Sequence, residues 1–359
     1  MKIACLIIGN NLVNNRAFLN YIMQNISKKF EFPTTIKCMQ KNDKELLFVL
    51  EDLAKTHEYL IVLTNDESFA LTSKIVSTLT NDSLELKDGF LIPSKSIKYE
   101  KDSFLLSFNN SFLNVVKLSE GEKLPNFLYE KQKDSLHVNI FGVDILALKE
   151  AVEKYTKTLN IEISVSLICK NWALLHVKNS LLFDKQNFFT FLKDEFYKII
   201  IVEDDVILYI IQKLKEKNES IAFAESCNGG ILSAMFTTRS GVSSIFKGSV
   251  VSYSYESKEK ILGVDKKIFE EFGSISKECI QAMTDGVFKE FNSTYAIATS
   301  GLAGPNGGSK EKPIGTVFVG IAKKGESPNI TKLHINGDRE YIQISSAQNA
   351  IASFIVSYL

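Results

Sequence analysis

Two residues that can act as nucleophiles, Ser226 and Cys227, stand side by side in Ala224-Glu225-Ser226-Cys227-Asn228-Gly229-Gly230, between a short apolar run and a helical pattern. Backbone N–H groups at a helix start carry the positive end of its dipole, and glycine lets an anion approach closely. Asn228, Gly229 and Gly230 therefore suit a phosphate or a tetrahedral oxyanion. The same residues also read as an ordinary helix start with Asn228 as its cap. Further on, a glycine-bounded turn holds Ser243 and Ser244, and Tyr253 and Lys258 follow. A serine hydroxyl is a poor nucleophile until a base takes its proton, and the usual base is histidine. After His176 only His334 is available. A lysine with a pKa lowered by burial does the same work, relayed through a tyrosine hydroxyl, so Tyr253 and Lys258 are a candidate pair. A core tyrosine and a surface lysine remain the alternative.

A third stretch, Thr299-Ser300-Gly301-Leu302-Ala303-Gly304-Pro305-Asn306-Gly307-Gly308, follows an apolar strand pattern. A backbone-exposing loop of this length inside a domain is usually functional, and it does not match the Walker pattern of a triphosphate-binding loop. Arg339 precedes the last helical pattern, where its guanidinium fits a phosphate or carboxylate; a solvent-exposed helix start is the other reading.

The elements that must position these residues alternate between strand and helix periods, which implies an α/β protein with sheets covered on both faces. The 359 residues suggest more than one domain. Residues 1–134 begin with the apolar strand Ile3–Ile8 and read as a parallel α/β unit, with Phe90 to Phe112 as a hairpin excursion outside its sheet. Residues 135–204 read as a small α+β linking domain. Its order of elements is KH-like, but Gly142 is its only glycine, so the Gly-x-x-Gly clamp on a nucleic-acid backbone is missing. Residues 205–359 form a second α/β domain, with glycine and small polar residues at the strand ends, where such sheets bind ligands.

Composition narrows the function further. Lys+Arg and Asp+Glu are both 42, and the charges are scattered, which argues against a nucleic-acid or acidic-membrane partner. Apolar runs such as Leu46 to Leu53 fall well short of the roughly 20 residues a bilayer needs, so a cytoplasmic protein is expected. The five cysteines never form a Cys-x-x-Cys pair, and no disulfide framework, metal site or cofactor is expected.

Taken together, AESCNGG, GVSSIFKG, VVSYSYESKEKILGV, FGSIS, TSGLAGPNGG, KPIGTV and GDR are similar to the C-terminal domain of the bacterial CinA (competence/damage-inducible) family. Its members include nicotinamide mononucleotide (NMN) amidohydrolases. The resemblance implies hydrolysis of the NMN carboxamide to nicotinate mononucleotide and ammonia, for pyridine nucleotide recycling, by a homodimer. It implies Ser243 as nucleophile, Tyr253 and Lys258 as its activating pair, and Ser226 as a second active-site serine. Substrate would be bound by Asn228, Gly229, Gly230, Thr299, Gly301, Gly304 and Arg339. The family usually has threonine where this chain has Asn228.

Residues 1–134 resemble, in architecture, the molybdopterin-binding-like domain of full-length CinA proteins, which is linked there to ADP-ribose pyrophosphatase activity. The family's Gly-Gly-Leu-Gly-Pro-Thr loop is replaced here by Thr64-Asn65-Asp66-Glu67-Ser68-Phe69-Ala70-Leu71-Thr72, which removes the close backbone approach a pyrophosphate needs. A catalytically silent first domain is expected. Residual hydrolysis through Asp66 or Glu67 is one alternative, and a non-catalytic, competence-associated nucleotide-binding protein is another.

Overall fold

The computed structural model describes residues 1–130, 134–157, 159, 161–178, 183–203 and 205–359. Residue 204, where the linking segment was expected to end, lies outside them. The chain forms two compact units, Met1–Asp134 and Ser135–Leu359.

The first unit runs β1 (Ile3–Ile8), α1 (Asn10–Asn14), α2 (Arg16–Lys29), β2 (Thr35–Met39), α3 (Leu46–Thr56), β3 (Tyr59–Thr64), α4 (Asp66–Leu79), β4 (Leu84–Lys87), β5 (Phe90–Pro93), β6 (Lys98–Glu100), β7 (Ser103–Phe108) and β8 (Ser111–Lys117). Every residue of β1 and β3 is buried, as expected where a sheet is covered on both faces. The strand order is β2-β1-β3-β8-β7-β6. β1, β2, β3 and β8 are parallel, and β7 and β6 are antiparallel additions.

One expectation is corrected here. Of Phe90 to Phe112, only β5, paired with β4, stands outside the sheet. β7 lies within it because Asn114 of β8 satisfies buried polar groups across the pair, donating to Ser103 Oγ (3.0 Å) and to the Phe104 carbonyl (2.9 Å). Where the family has its glycine-rich loop, β3 ends at Thr64 and α4 starts at Asp66, because Asn65 and Ser68 form a reciprocal capping box.

The second unit begins with β9 (Ser135–Phe141), α5 (Ile145–Thr156), β10 (Ile163–Cys169), β11 (Trp172–Lys178), α6 (Lys185–Glu195) and β12 (Ile200–Glu203). These form an antiparallel sheet ordered β10-β11-β9-β12 with two helices. There follow α7 (Val206–Glu216), β13 (Ile221–Glu225), α8 (Ile231–Thr237), β14 (Phe246–Val251), α9 (Tyr255–Leu262), α10 (Lys266–Glu271), α11 (Lys277–Phe291), β15 (Tyr295–Gly301), β16 (Thr316–Lys323), β17 (Asn329–His334) and α12 (Arg339–Tyr358). The second sheet is ordered β14-β13-β15-β16-β17, with β14, β13 and β15 parallel. Phe141, Cys169 and Val202 share one apolar core with α7 and α12, so the small sheet is built onto the larger one.

Alternation along β13 and β15 sorts the two faces of this larger sheet. Phe223 and Ile297 face the α7 and α12 core. Ala222, Ala224, Ala296 and Ala298 face α11, and these small side chains let α11 lie close. α9 then packs on α11 at Gly286, where an added Cβ would meet the Leu262 carbonyl oxygen at 2.3 Å. Replacing Gly286 by alanine favours the isolated helix by about 1 kcal/mol, but the clash is with backbone that cannot rotate away. Gly286→Ala is therefore expected to lower unfolding free energy by about 2 kcal/mol, as read from urea denaturation.

Candidate active site

Strand order reverses at β13, with β14 on one side and β15 on the other, and ligands of α/β sheets bind outside the strand C-termini at such a point. The residues after β13, β14 and β15 meet there around a cavity of about 220 Å³, lined among others by Ser226, Lys258, Tyr253, Ser300, Gly304 and Arg339.

Ser226 is the first residue beyond β13, and its N–H donates to the Thr299 carbonyl at 3.0 Å. The chain then turns through Gly229 at φ 62° and Gly230 at φ 99°, a pair of left-handed conformations that glycine adopts without Cβ strain. The expectation that Asn228 caps the helix is overturned, since Gly230 is the residue at that position. Asn228 is buried, its Oδ1 accepts from Cys227 Sγ at 3.3 Å, and its Nδ2 has no partner among the described residues.

The helix start is not open to an external anion either. Glu225, fully buried, accepts the Leu232 N–H at 3.0 Å and the Ser233 N–H at 2.9 Å. By contrast, the Asn228 N–H group finds no acceptor among the described residues. Burial pushes the Cys227 thiol up to about 12, so of the two adjacent nucleophiles the cysteine is protonated and unreactive near neutrality.

Lys258 comes from α9, which is fixed by a capping box between Ser254 and Ser257. It lies in the helix's first turn and is 1 % exposed. Its Nζ donates to Ser226 Oγ at 2.8 Å and to the Ser252 carbonyl. Burial holds the ammonium below its ordinary value of 10.5, opposed by the neighbouring Cys279 and Cys227, and the positive end of the α9 dipole disfavours the charge further. A neutral amine at this distance can accept the serine proton.

Tyr253 and Arg339 form the mouth of the pocket. Arg339, the first residue of α12, donates to the Tyr253 hydroxyl and, through a second nitrogen, to the Gly304 carbonyl at 2.6 Å. The glycine-rich loop, the last helix and the β14–α9 junction are tied at one point.

Ser226, Tyr253, Lys258, Gly301, Gly304 and Arg339 thus gather at one pocket. Thr299 is fully buried behind it, and Gly229 and Gly230 shape the turn instead of lining the cavity. Ser243 is not brought to this pocket. It is exposed in a 3-10 turn ahead of β14, whereas Tyr253 and Lys258 follow that strand. The strand's six residues separate the two ends by about 17 Å at 3.3 Å per residue. The relay from Ser243 through Tyr253 to Lys258 is therefore absent from the single chain; Lys258 meets Ser226 directly. Sequence reasoning missed Ser274, Ile275, Ser300 and Glu225. Ser300 Oγ donates to the Ser274 carbonyl at 2.8 Å, closing one wall; Ser274 and Ile275 lay in FGSIS, a stretch with no chemical signature of its own.

In the first unit, the carboxylates considered for phosphoanhydride hydrolysis are engaged by lysines, Asp66 by Lys117 at 3.2 Å and Glu67 by Lys41. No group of three or more His, Cys, Asp or Glu among the described residues is arranged to hold a metal ion, and none of the described helices is long and apolar enough to cross a membrane.

The family model for the CinA C-terminal domain matches residues 203–357. The C-terminal part of the chain is thus similar to the CinA C-terminal domain. A CinA-like protein of Thermosipho melanesiensis is 29 % identical over 352 residues, covering 96 % of this chain and 77 % of the relative. A CinA-like protein of Prochlorococcus marinus (strain CCMP1986 / NIES-2087 / MED4) is 43 % identical over 156 residues, covering 43 % of this chain and 36 % of that protein. The chain is therefore aligned with just over a third of that protein's length. The competence/damage inducible protein CihA of Agrobacterium tumefaciens is similar in structure with a TM-score of 0.41 and 26 % identity, over 42 % of this chain and 92 % of that one.

Because folding Lys258 into this site lowers its pKa, the unfolded chain binds more protons between the lowered and ordinary values. Stability should then rise with pH through that window and be lost as pH falls through the folded value. Lys258→Met should flatten the rise by up to about 1.4 kcal/mol per pH unit, measured by urea unfolding at a series of pH values.

Proposed function

We propose that this CinA-family chain is a serine amidohydrolase that converts NMN to nicotinate mononucleotide and ammonia, with Ser226 as nucleophile and Lys258 as base. The observation that carries the reading is the 2.8 Å contact between a buried lysine of lowered pKa and Ser226 Oγ. Neutral Lys258 takes the Ser226 proton as Oγ bonds to the carboxamide carbon. Backbone N–H groups of the Ser226 turn are the donors this reading assigns to the tetrahedral oxyanion. Protonated Lys258 then gives its proton to the departing nitrogen, ammonia leaves, and an acyl ester remains. Water, deprotonated by the same amine, attacks the ester, and the carboxylate product is released as Ser226 regains its proton.

The pocket lining holds Lys258 and Arg339 but no carboxylate, a balance that suits an anionic mononucleotide with its phosphate at the Arg339 mouth. The choice of NMN among carboxamides rests on the family resemblance. The same reading takes the protein as a cytoplasmic homodimer that recycles pyridine nucleotide. No observation favours catalysis in the first unit.

Ammonia release from NMN tests the assignment. Ser226→Ala and Lys258→Met are expected to lower kcat by roughly a thousandfold or more, since members of one catalytic unit each remove most of its effect. Ser243→Ala should stay within about threefold, as expected of a residue outside the reacting unit. Loss of activity in Ser243→Ala but not in Ser226→Ala would reverse the nucleophile assignment, and a folded wild type that releases no ammonia would remove the amidohydrolase reading. As base, Lys258 should also give kcat/KM a rising limb with a midpoint below 10.5. A profile flat between pH 6 and 10 would speak against it.

A further inference from the structure

Glu225 is a fully buried carboxylate that the proposed reaction does not use. Its Oε2 accepts the Leu232 N–H at 3.0 Å. Its Oε1 accepts the Ser233 N–H at 2.9 Å, the Ser233 hydroxyl, and the Ser249 hydroxyl at 3.3 Å. Its backbone carbonyl accepts the Ser252 N–H at 2.8 Å, and its strand position pairs with Val251 on one side and Thr299 on the other. One residue thereby fixes both ends of the loop that carries Ser226: the strand it leaves and the helix it enters. It also fixes β14, whose following residue Ser252 receives the Lys258 amine. Inside this frame, internal bonds from Gly229 N–H to Ser226 O and from Ile231 N–H to Asn228 O close the turn.

We propose that Glu225 is a positioning residue that sets the register of the Ser226 turn against Lys258. This rests on Ser226 being the nucleophile. It acts through charge-assisted bonds, which are shorter and stronger than neutral ones. Glutamine at this position keeps one acceptor oxygen but presents an NH2 group to the backbone or hydroxyl donors, so the loop must shift to relieve it. A shift of about 1 Å in a catalytic group costs on the order of a hundredfold in rate.

The test compares Glu225→Gln, Ser249→Ala and wild type in the full chain, by NMN kinetics and by labelling of Ser226 with a fluorophosphonate. In the labelling reaction Oγ bonds to phosphorus, fluoride leaves and Lys258 takes the proton; no NMN is needed. For Glu225→Gln we expect circular dichroism like wild type, a roughly hundredfold fall in kcat with KM changed less than about threefold, and labelling slowed in parallel. A purely structural role would lower the melting temperature and the active fraction but leave the labelling rate of the folded fraction unchanged, and that result overturns the proposal. If Glu225→Gln does not fold, Ser249→Ala decides: it weakens the hold on Glu225 without misplacing a donor, and unchanged kcat and labelling there overturn the proposal as well. Wild-type labelling at Ser226 without ammonia release, but with slower labelling in the variants, would keep the Glu225 assignment while removing NMN as substrate.

Discussion

The arrangement of the second unit depends on one costly placement, an amine buried to 1 % exposure beside a serine hydroxyl. Water would stabilise the ammonium far better than this pocket does, so burial shifts the group toward its neutral form. The same desolvation that costs stability sets an amine shifted toward its neutral form against the Ser226 hydroxyl. Holding that geometry requires α9 to stay on α11, which the bare backbone at Gly286 permits, and requires the α9 start to be fixed by Ser254 and Ser257.

Charge in this region is sorted by the sheet. Glu225 directs its carboxyl group to the chain's own α8 start and to Ser233 and Ser249, away from the cavity, whose described lining holds Arg339 and the buried Lys258 amine. A helix start that looks like an anion site in sequence is thus satisfied internally. The cation at the cavity mouth is Arg339, held in place by Tyr253 and the Gly304 carbonyl.

The first unit shows the same strand-end position used otherwise. Where β1 and β3 end, Asn65 caps α4 and its Nδ2 donates to Asn11 Oδ1 at 2.8 Å. A Cβ on Gly9 would already meet Asn65 Nδ2 at 3.0 Å. Side chains fill the space that a glycine-rich loop would leave for a phosphate, and nearby carboxylates are neutralised by Lys41 and Lys117.

The sequence by itself determined the alternation of strands and helices, because fully buried strands such as β1, β3 and β13 must be continuous apolar runs and helices must repeat near 3.6 residues. Local rules also marked the turns rich in glycine and small polar residues that became the cavity wall. The sequence could not give the partner of each polar group, since that depends on contacts between residues far apart in the chain. Asn228 reads as a cap yet lies buried beside Cys227, Glu225 reads as an ordinary strand end, and Ser243 reads as close to Tyr253 until β14 carries the chain away from it. Only the tertiary structure brought Ser226 and Lys258 within 2.8 Å, 32 positions apart. That pairing follows from the parallel register of β13 with β14 and from the depth at which α9 is buried, and neither is encoded in the residues around either side chain.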